Sequence, residues 1–347
     1  MSLELIIAGA LLVSLTFYVS TGGADYGSGV WHLFSRGPRA QAQRELIGHA
    51  LGPIWEAHHV WLILVVVILF TAYPIAYATI STALHIPLTV LLIGIVLRGT
   101  SYVFRSSGIE RDRLRDHWDT LFTGASLLTP LLLGVLIGAI STGGLVVTNR
   151  DFTHTYLFPW LQPFPVAVGI FTVAIFAYLA ASYLILETDD AELQEAFRWR
   201  AIGAALTAGV LEELVLLLSR NGAPMIWNEL TGTFWGVSAQ FGTAATGFAG
   251  IVFLWQKRFR LACACAIGQV TLTLWAWAFA LFPYLVPPDL TIINGAAPAP
   301  TLRLLLILLC AGAVLLFPSL YYLYSLFKHK VVFGELTKGK THDTVVP

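Results

Sequence analysis

Five ionisable side chains sit in the first 120 residues within stretches otherwise poor in charge. They are Asp25 in "GGADYG", Glu56 and His59 in "WEAHHVW", Arg98 in "VLRGTS" and Asp119 in "DHWDTL". Carboxylates and imidazoles relay protons along a hydrated path, whereas a guanidinium keeps its charge and holds a carboxylate in place. Asp25, Glu56, His59 and Asp119 are therefore candidate proton-path residues, and Arg98 is the candidate for a structural ion pair. His49, Glu56 and Ile63 are spaced by seven, and His59 lies three past Glu56, so all four share one helical face. Glu56 is then about 10 Å along the helix from His49. A buried Arg98 locking helices together and a proton route are compatible, because one pair can hold the helices while another group moves protons.

The same stretch raises two cofactor questions. Trp55 and Trp61 have the character of membrane-interface residues, and beside His58 they could flank a quinone ring. Trp55, His58 and Trp61 are the quinone-contact candidates. Adjacent His58 and His59 diverge on a helix, yet one axial ligand suffices for a b-type haem, so spacing alone leaves haem open. Histidines facing one another across a four-helix bundle at mid-depth are not evident, and no metal site is expected. Cys263, Cys265 and Cys310 lack zinc or c-type haem spacing and read as small hydrophobic residues. Glu212 and Glu213 are adjacent in "GVLEELVLLL", point about 100° apart, and are expected at different sites, one a buried contact or pore group and the other nearer the interface. His85, two residues before Pro87, reads as a hydrogen-bonded kink residue.

Helices crossing a bilayer must position these groups. Hydrophobic residues make up 57% of the 347 and charged residues 12%, about half the share usual in soluble domains. Formal net charge is zero, which offers no footprint for nucleic acid. The N-terminus lacks the basic flank of a cleaved signal and reads as a permanent span. Nine candidate spans fall near 3–34, 49–73, 77–104, 117–141, 163–187, 199–219, 235–256, 260–286 and 302–327. The glycine-rich end of the first is expected to project or tilt. Of the 20 basic residues, sixteen follow odd-numbered spans, from Arg36, Arg39 and Arg44 to Lys338 and Lys340. Arg150, Arg220 and Arg303 lie on the other side. This bias predicts an outside N-terminus and a cytoplasmic C-terminus, with the five early groups in the cytoplasmic half and Glu212 and Glu213 in the outer half.

The acidic loop "ETDDAELQEAF" is expected to form a short interfacial helix, and segments 142–162 and 287–301 to form outside loops rich in turn formers. No repeat is visible in the sequence. Proton-coupled secondary transport is the alternative function for the same carboxylates, but Pro130 and Pro318 do not pair across two halves as transporter helix breaks do.

Four quoted stretches carry a resemblance: "GGADYGSGVWHLF", "GPIWEAHHVWLILVVVILFTAYP", "VLRGTSYVFR" and "HWDTLFTGASLLTPLLLGV". In this order they resemble the first four helices of subunit II of bacterial cytochrome bd quinol oxidases. The resemblance is strong over residues 15–140 and looser through "LFPYLVPP" and the last span. The W-[DE]-x-[NH]-x-V-W pattern at 55–61 is its most specific element, and His58 stands where several relatives have asparagine.

The resemblance implies an all-α integral membrane protein of about nine transmembrane helices, arranged as two four-helix bundles plus one extra helix. Residues 1–347 form a single polytopic domain, with helices 1–4 at 3–141, helices 5–8 at 163–286 and helix 9 at 302–327. It implies the non-haem subunit of a bd-type terminal quinol oxidase in the bacterial plasma membrane, coupling quinol oxidation to reduction of dioxygen to water. The haems, two b-type and one d-type or a variant set, are expected in subunit I, with none in this chain. This chain supports that partner, contributes a cytoplasmic proton path, and in some members binds a structural quinone. Small single-span accessory subunits are further expected partners. Asp25, Glu56, Arg98 and Asp119 match polar positions of the family.

Overall fold

The computed structural model describes residues 2–51, 57–106, 112–145 and 152–338. Trp55 and Glu56 lie outside the described residues. The long apolar runs are helical, because a helix pairs its backbone polar groups within the segment and a lone strand cannot. In chain order the elements are α1 (Leu3–Leu33), α2 (Ala40–Leu51), α3 (His59–Ala72), α4 (Pro74–Ala83), α5 (His85–Ser106), α6 (Asp112–Ser141), α7 (Phe158–Leu161), α8 (Pro163–Leu184), α9 (Ala191–Gly222), α10 (Pro224–Gly232), α11 (Phe234–Trp255) and α12 (Phe259–Leu281). A two-stranded hairpin, β1 (Tyr284–Val286) and β2 (Leu290–Thr291), precedes α13 (Ala299–Lys338).

Among the described residues eight helices are long and apolar enough to cross a membrane, or nine if the bent pair α3 and α4 counts as one span. The protein is a multi-pass membrane protein. Helices α1, α3, α5 and α6 form one bundle and α8, α9, α11 and α12 a second, joined where α8 packs against α1 and α6. Helix α13 lies on the periphery against α1 and α3. At one end, called here the basic end, the α1–α2 elbow meets the α8–α9 loop. There Arg39 binds Asp190 through two hydrogen bonds of 3.0 and 2.9 Å, and Arg200 donates to the Phe34 carbonyl and to Gln43.

Several expected boundaries move for local physical reasons. The third span is not one helix from 77 to 104. Leu84 ends α4 and α5 begins at His85, whose Nδ1–H donates to the Thr82 carbonyl at 3.0 Å, as the kink reading of His85 anticipates. The eighth span stops at Leu281, not 286, because Pro283 cannot continue the helix and the chain turns into β1. The acidic stretch at 187–197 is no separate interfacial helix. The Asp190 carboxylate caps α9 by accepting from the Glu192 and Leu193 amides, so the following residues become the first turns of a 32-residue helix.

The glycine-rich end of α1 neither projects nor tilts free; it is the buried part of that helix. A Cβ at Gly27 would run into the Phe176 carbonyl of α8, and one at Gly29 would meet the Ser126 side chain of α6. Glycine here lets three helices touch backbone to backbone.

The two bundles repeat one order of elements, although no repeat is visible in the sequence. Each bundle contains a span, a span broken before proline, a short helix, a span and a span. The breaks correspond: Tyr73 (φ −133°, ψ 59°) precedes Pro74 and Ala223 (φ −149°, ψ 70°) precedes Pro224. Proline removes a helix donor and pushes the preceding residue out of the α region. At the first break α3 and α4 meet at 116°. The Ala72 carbonyl is satisfied by the Ala297 amide at 2.8 Å, and the Tyr73 hydroxyl donates to the Glu4 carbonyl at 2.6 Å.

Candidate functional site

The interior of the first bundle is built around one buried charge pair. Glycine contacts bring α1 against α6 and α8, and the turn of α1 that follows Gly22 and Gly23 presents Asp25 inward. Asp25 is 5% exposed and Arg98, from α5, 2%. Arg98 Nη1 donates to Asp25 Oδ2 at 2.6 Å and Nη2 to Oδ1 at 2.8 Å, with Nη2 also reaching the Asp25 carbonyl at 3.1 Å. Nε donates to Ser126 Oγ of α6 at 3.0 Å. The guanidinium lies 4.9 Å from the Tyr26 ring centre and 5.2 Å from that of Phe122. A planar fork satisfied on its edge and covered on its faces is the arrangement in which a buried arginine is tolerated.

His58, at the start of α3, completes the cluster. Its Nε2 is 3.5 Å from Asp25 Oδ2 and has no closer polar partner among the described residues. Tyr18 and Tyr26 flank the ring at 6.0 and 5.7 Å between centres, and the two hydroxyls are 3.5 Å apart. A Cβ at Gly22 would lie 3.0 Å from His58 Cδ2, so glycine again makes room for the approach. One carboxylate, one permanent cation and one titratable imidazole thus share a water-poor pocket. The Asp25–Arg98 pair is charge-neutral, and the imidazole is the remaining titratable group beside it.

The remaining sequence candidates divide. His59 lies beside His58 with ring centres 4.2 Å apart and planes tilted by 31°, and lines an outward groove with Gly99, Thr100 and Phe104. Asp119 lies on α6 seven residues before Ser126, about 10 Å nearer the basic end. Its backbone carbonyl accepts from Thr123 at 2.8 Å, and Thr123 Oγ1 is 3.1 Å from His32 Nδ1. Since that hydroxyl proton is already donated, His32 Nδ1–H is the donor. Trp61 is buried and stacks on Phe17 at 4.5 Å. Neither His58 nor Trp61 is among the residues lining the two cavities described for this protein. Glu56 and Trp55 are outside the described residues. Among the described residues no group of three or more His, Cys, Asp and Glu side chains could hold a metal ion.

Sequence reasoning missed Tyr18, Tyr26, Ser126 and the His32–Thr123 pair. The glycines of "GGADYGSG" were the available signal, since close helix contact forces whatever flanks them inward. It also separated Glu212 from Glu213, yet both line one cavity of about 400 Å³ where the second bundle meets α1 and α6, with Thr243, Gln269 and Thr273.

The comparisons with known proteins agree with this architecture. The sequence profile described as cytochrome bd terminal oxidase subunit II matches residues 3–327. A Bacillus subtilis chain provisionally named a cytochrome bd menaquinol oxidase subunit II is 26% identical over 94% of this chain and 96% of its own length. The cytochrome bd-I ubiquinol oxidase subunit 2 of Escherichia coli is 29% identical over 53% of this chain and 48% of its own. This chain thus spans about half the length of that relative in the matched region. The structure of bd oxidase from Geobacillus thermodenitrificans contains a chain of the same fold, with TM-score 0.73 and 24% identity, covering 94% of this chain and 99% of that one. The protein belongs to the cytochrome bd terminal oxidase subunit II family.

Proposed function

We propose that this chain is the haem-free subunit of a quinol:oxygen oxidoreductase in a bacterial plasma membrane, with its N-terminus outside and its basic end in the cytoplasm. Its first bundle conducts protons from the cytoplasm toward dioxygen reduction in a haem-bearing subunit I. The haems are assigned to that partner, as are quinol oxidation and the reduction step. Trp55, His58 and Trp61 are the candidate contacts of a structural quinone in this chain.

The observation that carries the reading is the buried Asp25–Arg98–His58 cluster, with His59 and Asp119 toward the basic end. Asp25 and Arg98 act as an electrostatic lock. His58, with Glu56 two residues away in the chain, receives and passes protons beside that lock. The alternative of proton-coupled transport finds no support in the family match over residues 3–327.

The test is Glu56→Gln in the purified assembly. Proton conduction through Glu56 requires slowed oxygen consumption with normal yield and unchanged reduced-minus-oxidised haem spectra. Lowered yield or disturbed spectra would instead make Glu56 a structural partner, and full activity would remove it from the route. Purification of the chain as a stable monomer without a haem-bearing partner would overturn the assignment as a whole.

A further inference from the structure

The cavity between the second bundle and helices α1 and α6 presents hydrogen-bond acceptors and few free donors. Its wall is mostly apolar, and no Lys, Arg or His lines it. The hydroxyl, amide and indole donors along it are already engaged: Thr273 with Glu212 at 3.4 Å, Thr243 with the Gln240 carbonyl at 2.8 Å, and Trp277 with Ser141 at 2.8 Å. Ser141, Thr172, Ser219 and Gln240 donate to backbone carbonyls at 2.6–2.8 Å, and Tyr18 to Tyr26 at 3.5 Å.

The Gln269 amide hydrogen-bonds Glu212, and what remains are further acceptor sites on the Glu212 and Glu213 carboxylates and the Gln269 carbonyl. Gln269 is 3% exposed, and its Oε1 has no partner among the described residues. The side chain packs over Gly247, where a Cβ would lie 3.0 Å from both its polar atoms. A buried acceptor left without a donor costs about 1–3 kcal/mol, so its retention points to a donor supplied from outside the chain. The cavity opens between α9 and α11, where Glu213 is exposed and Phe248 is 70% exposed. In a membrane-spanning bundle that mouth faces acyl chains, so the ligand enters from the bilayer.

We propose that this cavity binds an amphiphile with a primary ammonium head and an apolar tail, the head on Glu212 and Gln269 Oε1 and the tail along the apolar wall toward Phe248. A head of carbonyl oxygens alone finds no donor here, and an anionic head meets two carboxylates and no cation. A free small cation would satisfy the oxygens but leave the apolar volume unexplained.

The test uses the intact assembly in nanodiscs with tail-brominated hexadecylamine, hexadecanol and hexadecanoate, whose bromine quenches the fluorescence of nearby tryptophan. Trp277 lines the cavity, and Trp277→Phe defines its share of the signal. The amine is expected to quench saturably and to bind about tenfold more tightly than the alcohol, the worth of one charge-assisted contact. Glu212→Gln should abolish that preference. Equal binding of all three probes, preference for the acid, displacement of the amine by a chain-matched quinone, or displacement by potassium chloride alone would each overturn the proposal. If Glu212→Gln does not assemble, Gln269→Met removes the orphaned acceptor at similar volume. It should weaken the amine selectively, and an undiminished preference would refute the site.

Discussion

The two bundles share one plan and treat their interiors in opposite ways. In the first, Asp25 faces Arg98 and every polar edge of the pair is met by protein, so the interior is filled and neutral. In the second, Glu212 and Glu213 border a cavity of about 400 Å³ with no cationic side chain along it. The comparison teaches that the fold tolerates charge at depth by two routes. One compensates the charge within the chain and makes it indispensable to packing. The other leaves the carboxylates beside open volume, where ligand or water completes them.

The largest effect that would sharpen this contrast is at Arg98. Arg98→Leu strands the Asp25 carboxylate, and removing one partner of a buried pair costs about 3–5 kcal/mol. Yield of the assembled complex should fall steeply, and normal yield with altered turnover would contradict the lock. Replacing both partners, Asp25→Leu with Arg98→Met, should cost clearly less than the sum of the single changes, because no lone charge remains. Next in size is Gly27→Ala, which drives a methyl group into the Phe176 carbonyl. Overpacking of this kind costs about 1–3 kcal/mol, visible as a lower unfolding temperature of the purified assembly.

Glu212→Gln should change stability by less than about 1 kcal/mol, since it leaves no buried cation unpaired. A loss as large as that of Arg98→Leu would erase the difference between the bundles.

The smallest effect lies at the exposed clamp joining the bundles. Hydrogen bonds from Arg39, and then from the Leu193 amide, hold the Asp190 carboxyl below the usual carboxylate range. A folded-state value below the unfolded one stabilises above the unfolded pKa and is lost as pH falls through the folded one. The clamp should therefore weaken only on the acid side and in high salt. Asp190→Asn should flatten that part of a stability-versus-pH profile, and an unchanged profile would remove the clamp from the account.

Much of the architecture is legible in the sequence. Apolar runs near the length of a bilayer crossing located most spans, since length and hydropathy are local properties. The breaks were less legible. Pro74 and Pro224 stand 150 residues apart without sequence likeness around them, and their equivalence lies in backbone angles. The acidic run at 187–197 misled because a capping aspartate extends a helix that hydropathy alone would begin later.

Residue types and spacing, then, determined that this chain crosses a membrane repeatedly and carries acids, bases and one arginine among its early helices. Glycines let α1 approach α6 and α8, and that approach chose Asp25 as the partner of Arg98 and set His58 beside it. Charge type can be read one residue at a time. Pairing and empty volume are properties of several helices at once, and only their packing decided which carboxylate was neutralised and which was left beside a cavity.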